Sequence, residues 1–217
     1  MRNEGNQELM ARSLSFFGAV TASVTHELTN VIAIINELTG LLDDMRYSAE
    51  QGQTIESDRL ENLHGRLTKQ INRGERIIKR LNKFAHSADN VEIEFELNEV
   101  LFNLSELMQR PADMKRIKLV FKPADMEIRC TSNPFELQHI IFRCCKMFLD
   151  SADENSAIHL EVEKKDDKRT IIVSCSDISD EKLAKGELES IRNLAEIQDW
   201  DTVTEIKESK FSFALII

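Results

Sequence analysis

The sequence predicts two architectures in one chain: a long antiparallel α-helical hairpin over residues 1–88, then an α/β layered domain over 89–217. Three observations carry this. Apolar residues recur every seven positions through most of the first 86 residues. Beyond residue 88 the periods shorten, and stretches of four to eight residues alternate in period two. All three prolines (Pro111, Pro123 and Pro134) fall in the second part, whereas six of the seven glycines lie at or before Gly74.

The first helix is expected over 8–48, about 60 Å at about 1.5 Å per residue. Phe17, Val24, Val31, Leu38 and Met45 form one heptad series, and Leu28, Ile35 and Leu42 a second. Val20, Ile34 and Leu41 widen the seam, so the stripe suits a four-helix bundle better than a two-stranded coil. Gly18 and Gly40 lower helix propensity, which the seam overrides. A polar connector, Ser48 to Ser57, contains Gly52. Ser57 or Asp58 caps a second helix running to about His86. Its seam is Leu60, Leu67, Gly74 and Leu81, with Ile71, Ile78 and Ala85 beside them. Two long helices with a short connector make an antiparallel hairpin. One hairpin cannot bury both seams, so a two-fold homodimer completing a four-helix bundle is expected. Arg66, Lys69, Arg73, Arg76, Lys79, Arg80 and Lys83 face only Glu75 in their span. That is either a solvated helix face or a landing surface for an acidic partner, with Arg73, Arg76 and Arg80 as its candidates.

In the second part, Val91–Glu96 reads as a strand and Leu97–Arg110 as a helix stopped by Pro111. Ile117–Lys122 and Met126–Cys130 read as strands, and Pro134 opens a helix at its first turn. AIHLEVEK and RTIIVSC form a hairpin across KDDKR, Glu181–Ile197 is a helix, and KFSFALII closes the chain as a strand. This order predicts a mixed sheet with helices on one face.

Composition narrows the function classes. At 30% charged and 41% hydrophobic, the chain has the balance of a folded globular protein. A net charge of -10 speaks against nucleic acid as a partner. The acidity is local: residues 150–208 hold 17 Asp/Glu against 8 Lys/Arg. No signal core opens the chain, and no run approaches the roughly 20 apolar residues that cross a bilayer, so no membrane contact and a cytoplasmic location are expected. Cys130, Cys144, Cys145 and Cys175 form no C-x-x-C pair, and the histidines lack metal-ligand spacing. Reduced, buried thiols are expected, and no metal site.

The chemistry concentrates at His26. It falls two residues after Val24, on the face opposite the seam, with Asn30 one turn later on the same surface. A packed structural histidine belongs on the apolar stripe, and a lone exposed one is ordinarily solvated surface. An imidazole is, however, an uncharged nucleophile near neutral pH. Glu27 is placed to orient or deprotonate it, and Asn30 to hold a water or a phosphoryl oxygen.

The run His26-Glu27-Leu28-Thr29-Asn30 resembles the H-box of the dimerisation and phosphotransfer domain of sensor histidine kinases, which has the form H-E-x-x-N or H-E-x-x-T in a long first helix. The element order after residue 88 is similar to the catalytic ATP-binding domain of the same family, the Bergerat-type fold. Together the two resemblances span nearly the whole chain. They imply a dimeric four-helix bundle carrying a Bergerat-like α/β sandwich, with His26 as phospho-acceptor.

The nucleotide site departs from the family pattern. Arg143 and Met147 stand where the family has its N-x-x-x-N asparagines, and Cys175 replaces the adenine-reading aspartate. Phosphate cradles need glycine for close backbone approach, and only Gly186 remains after Gly74. The resemblance then points to a kinase-derived histidine phosphotransferase with no ATP site of its own. Its partners would be response-regulator receiver domains, which would bring the magnesium. A receiver phosphatase using Asn30, an autokinase with an unusual ATP site, and a non-catalytic dimeric scaffold are the alternatives. His64 is expected to pack in the bundle, His86 to favour a helix C-terminus, and His139 and His159 to lie in core elements without a carboxylate neighbour. Trp200 is either a packed loop residue or a partner anchor.

Overall fold

A computed structural model of the chain describes residues 2–166, 168–176, 178, 185–207 and 210–217. The elements are α1 (Arg2–Glu50), α2 (Ser57–His86), β1 (Ile93–Glu96), α3 (Leu97–Met114), β2 (Lys118–Lys122), β3 (Arg129–Ser132), α4 (Pro134–Ser151), β4 (Ala157–Lys165), β5 (Lys168–Ser176), α5 (Lys185–Ile197), β6 (Asp201–Lys207) and β7 (Lys210–Ile216). Two compact units divide them: Thr21–Asn82, and Met1–Val20 together with Lys83–Ile217.

The unit Thr21–Asn82 is an antiparallel hairpin. Leu38, Met45 and Leu63 form its core, with Ile34, Leu41, Ile55 and Leu67 packed against them. The series Val24, Val31, Leu38, Met45 is buried, as the heptad pattern predicts. On α2 the pattern needs correction. Leu67 and Gly74 face inward, but their companions are Leu63 and Ile77, both buried, and not Leu60, Ile71 and Ile78. Those three are 41%, 52% and 49% exposed, and Ile32 and Leu42 on α1 are 57% and 43% exposed. The stripe on each helix is wide enough for two neighbours, and a single hairpin fills only one side of it. His64 is likewise exposed, because the inward position is taken by Leu63.

In the larger unit, β2-β4-β5-β7-β6 form a mixed five-stranded sheet, and β1 and β3 form a separate antiparallel pair. β2 runs parallel to β4; the other neighbours are antiparallel. Period-two alternation puts three apolar rows in register across the sheet: Ile158–Cys175–Phe211, Leu160–Val173–Phe213 and Val162–Ile171–Leu215. All nine side chains are buried. α4 covers the sheet with Leu137, Ile140, Ile141, Cys144, Cys145 and Phe148, and Phe148 meets Phe211 edge-on at 5.4 Å. Asn133 caps α4, its Oδ1 accepting from Phe135 and Glu136, and Pro134 sits in the first turn where no N–H is needed.

Element bounds depart from the sequence reading by one to six residues at α1, β1 and β2, and more informatively at four places. α3 runs on to Met114 with Pro111 inside it. A proline one turn from the end forfeits its own bond to Leu107, while Leu107, Met108 and Ala112 on that turn are buried. The third strand is Arg129–Ser132, later than Met126–Cys130, because it pairs with β1. β6 was unforeseen: its threonines and acidic residues mask the period-two signal, and its ladder to β7 supplies the missing drive. Of the helix expected over 181–197, residues 181–184 lie outside the described residues, and α5 begins at Lys185.

By length and composition one described helical segment, Met10–Glu50, is apolar enough to cross a membrane. The expectation that no segment would be rested on unbroken apolar runs and overlooked how few charges dilute this helix. Packed helices of water-soluble proteins and signal sequences pass the same test.

An aromatic cluster joins the chain's early and middle parts within the larger unit. Phe84 is fully buried, with Phe16 edge-on to it at 5.2 Å and Phe17 stacked at 5.5 Å. Phe135 and Phe142 of α4 close on Phe16 at 5.3 and 4.9 Å. Removing one fully buried ring of this kind costs about 3–5 kcal/mol. Phe84→Ala is therefore expected to lower the unfolding free energy by that amount, read as a lower urea midpoint at unchanged m-value by circular dichroism.

All four cysteines are free and buried. Burial pushes the Cys144 thiol well up, with Cys145 beside it adding to the shift, and pushes Cys145 up to about 12. The unfolded chain releases these protons from about pH 8.5, while the folded chain keeps them. Stability is thus fully present below that pH and falls as pH rises through about 12. At pH 8 a thiol reagent is expected to label no cysteine in the native chain and all four after denaturation, read by mass spectrometry.

Candidate functional site

The hairpin presents a small polar surface on α1. His26 and Asn30 are both exposed, one turn apart, while Val24 and Val31 on the opposite face are buried. The geometry follows from the 3.6-residue repeat, since a seam at Val24 and Val31 leaves His26 outward. Among the described residues none hydrogen-bonds to the His26 ring. Thr25 and Thr29 turn their hydroxyls back onto the carbonyls of Thr21 and Thr25, each at 2.8 Å, which leaves imidazole and amide as the outward polar groups of this turn.

Glu27 does not sit on the imidazole as expected. Its Oε1 accepts from Arg73 Nη2 at 2.9 Å across the hairpin. Arg73 was read as an outward, partner-facing cation; it is half-buried and spent on this ion pair. The hairpin register brings the two together, as it brings Val31 against Gly74 one step away. The pair is partly solvated, so it contributes on the order of 0–1 kcal/mol and acts mainly by orienting Glu27. Arg76 is exposed, Arg80 half-buried, and Lys69 and Lys79 are exposed with Arg76, so the basic surface of α2 persists without Arg73.

The second candidate region lies around α4 and α5. Met147 is a core side chain. Arg143 Nε donates to Glu187 Oε1 at 2.7 Å and its Nη2 to Ser190 Oγ at 3.1 Å. A guanidinium has five donors and no acceptor, so it cannot ligate a cation or accept from an amine as an asparagine amide does. Cys175 is buried at the end of β5, its thiol donating to the Ser176 carbonyl at 3.2 Å. Gly186 is the second residue of α5 and not part of a loop. The segment 179–184, where a lid would follow, lies outside the described residues.

The remaining histidines have structural settings. His139 is buried, stacked on Phe16 at 4.9 Å with rings 6° from parallel. No carboxylate flanks it in sequence, but its Nδ1 lies 3.3 Å from Oε2 of Glu136, one helical turn earlier. His159 is half-buried on β4, and His86 pairs with Asp89 at 2.7 Å. Trp200 is buried and serves as a packed loop residue.

No protein-family model and no curated protein matches the chain. Solved structures do. The nucleotide-free catalytic domain of the histidine kinase ThkA is 20% identical, with a TM-score of 0.52 over 58% of this chain and 94% of that one. Histidine kinase ThkA in complex with the response regulator protein TrrA is 20% identical, with a TM-score of 0.51 over 100% of this chain and 65% of that one. At this identity the likeness establishes the architecture: a helical N-terminal part followed by the α/β fold of histidine-kinase catalytic domains.

Proposed function

We propose that the chain is a two-component signalling protein, a homodimeric histidine phosphotransferase that passes a phosphoryl group between receiver-domain aspartates through His26. What supports this reading is an exposed His26–Asn30 surface on a chain with the α/β fold of histidine-kinase catalytic domains, together with the resemblance that sets Arg143, Met147 and Cys175 at the family's nucleotide-reading positions. A nucleophile is retained where the means to charge it from ATP is not. The likeness to ThkA, solved with a response regulator, supports a receiver domain as the docking partner. The basic surface of α2 (Lys69, Arg76, Lys79, Arg80) lies on the same hairpin, suited to an acidic partner.

In this mechanism the Nε2 lone pair of neutral His26 attacks phosphorus of the aspartyl phosphate. The P–N bond forms as the P–O bond to aspartate breaks, and the electron pair leaves on the receiver's carboxylate. The proton on the ring's other nitrogen passes to water, since Glu27 is held by Arg73. Asn30 donates from its amide to a phosphoryl oxygen. The magnesium that neutralises the transferring group comes with the receiver. The return step runs the same sequence in reverse. The C-terminal body is a second docking surface, its acidic face biasing partner choice.

Dimerisation accounts for the apolar flank that the single hairpin leaves open. Leu60, Ile71 and Ile78 on α2 and Ile32 and Leu42 on α1 are exposed in one chain and would be covered by a second copy. The wild-type chain is expected to sediment as a dimer, and Ile71→Asp/Ile78→Asp as a monomer with near-native far-ultraviolet circular dichroism.

Transfer is tested with a receiver labelled on its aspartyl phosphate. Acid-labile label is expected on the chain, lost in His26→Ala, and slowed about tenfold or more in Asn30→Ala, the scale of one oriented donor. Labelling from ATP without a receiver would overturn the proposal in favour of an autokinase. Faster loss of receiver phosphate with no label retained, abolished by Asn30→Ala, would instead assign a phosphatase to the same surface.

A further inference from the structure

Two guanidinium groups converge on one hydroxyl in the larger unit. Ser190 Oγ, on a buried residue of α5, accepts from Arg143 Nη2 at 3.1 Å and also from Arg12 Nη1 of α1. Like charges that close together repel, and more so where water is scarce. Arg143 is only 12% exposed. Its Nε is satisfied by Glu187, but its Nη1 is buried with no acceptor among the described residues. A buried N–H of a charged group without an acceptor costs more than the net value of an ordinary hydrogen bond, and so marks a place where an acceptor belongs.

The space beside these groups is a pocket of about 240 Å³. Arg12, Arg143 and Lys146 line it, with Glu187 as the one carboxylate and Phe16 and Phe142 as apolar wall. Lys146 also pairs with Asp150 at 2.9 Å, on a side chain that is 58% exposed. Arg143 is answered by Glu187 and Lys146 by Asp150, so what the lining offers an anion is N–H donors, and the planar Arg fork matches the oxygens of a tetrahedral oxyanion. The volume is small beside the roughly 300–1,000 Å³ of pockets for drug-sized ligands. It therefore suits a phosphate group better than a nucleoside triphosphate.

We propose that this pocket between α1, α4 and α5 binds a small phosphate-bearing anion, inorganic phosphate or the phosphoryl end of a phosphomonoester, without a metal ion. The anion accepts from Arg143 Nη1. Glu187 opposes it and keeps the affinity modest. The site involves none of the hairpin residues assigned to phosphotransfer and stands whether or not His26 is a phospho-acceptor.

The test uses the full chain at constant ionic strength. Inorganic phosphate, glycerol 3-phosphate, and ATP with and without magnesium are titrated by calorimetry, and the thermal midpoint is followed in parallel. Saturable binding of phosphate or glycerol 3-phosphate is expected, and whichever is tighter identifies the source of the phosphoryl group. Affinity is expected to fall at least tenfold in Arg143→Met and severalfold in Lys146→Met, and to be unchanged in His26→Ala. If Arg143→Met does not fold, Lys146→Met and Arg12→Gln decide. Absence of saturable binding, equal affinity in the charge variants, or binding that requires magnesium and the nucleotide base would each overturn the proposal.

Discussion

A two-helix hairpin has one inner face, and this chain carries apolar residues for two. Leu38, Met45, Leu63, Val24, Val31 and Ile77 fill the inner face; Ile32, Leu42, Leu60, Ile71 and Ile78 are left outside. Burying one medium-sized aliphatic side chain is worth about 1.5–3 kcal/mol, so a flank of this size is a strong drive to associate. The same constraint places the chemistry. Once the seam and its flank are assigned, the polar arc of α1 is where His26 and Asn30 emerge, away from the surfaces that pack.

The α/β body obeys a different rule. Its three in-register apolar rows and the covering face of α4 depend on shape and water exclusion, and these tolerate loss of any ligand. The α/β fold of histidine-kinase catalytic domains thus forms here around apolar rows that need no ligand. Arg143 presents only donors, two of them spent on Glu187 and Ser190 while Nη1 has no acceptor among the described residues.

Much of the fold was legible beforehand because it rests on periodicity. The bounds of α2, the opening of α4 at Pro134 and the hairpin of β4 and β5 follow from local signals: a cap, a proline at the first turn, alternating residues around a charged turn. β6 was not legible, since its alternation is diluted by Thr202, Thr204 and Glu205 and its order comes from pairing with β7. The end of α3 was misread because Pro111 is a local stop that burial of Ala112 overrides. In the site, the outward positions of His26 and Asn30 were readable from the heptad; the partner of Glu27 was not.

By itself the sequence determined the period of each helix and strand and the polar arc of α1, because helical and extended backbones repeat at 3.6 and 2 residues whatever surrounds them. It therefore determined that His26 and Asn30 lie on the polar arc of α1. Tertiary structure alone decided which side of a wide apolar stripe is inner, that Arg73 is spent on Glu27, and that Arg12 meets Arg143 at Ser190. Those contacts join residues tens to more than a hundred positions apart. Register and packing between elements set such contacts, and no local repeat encodes them.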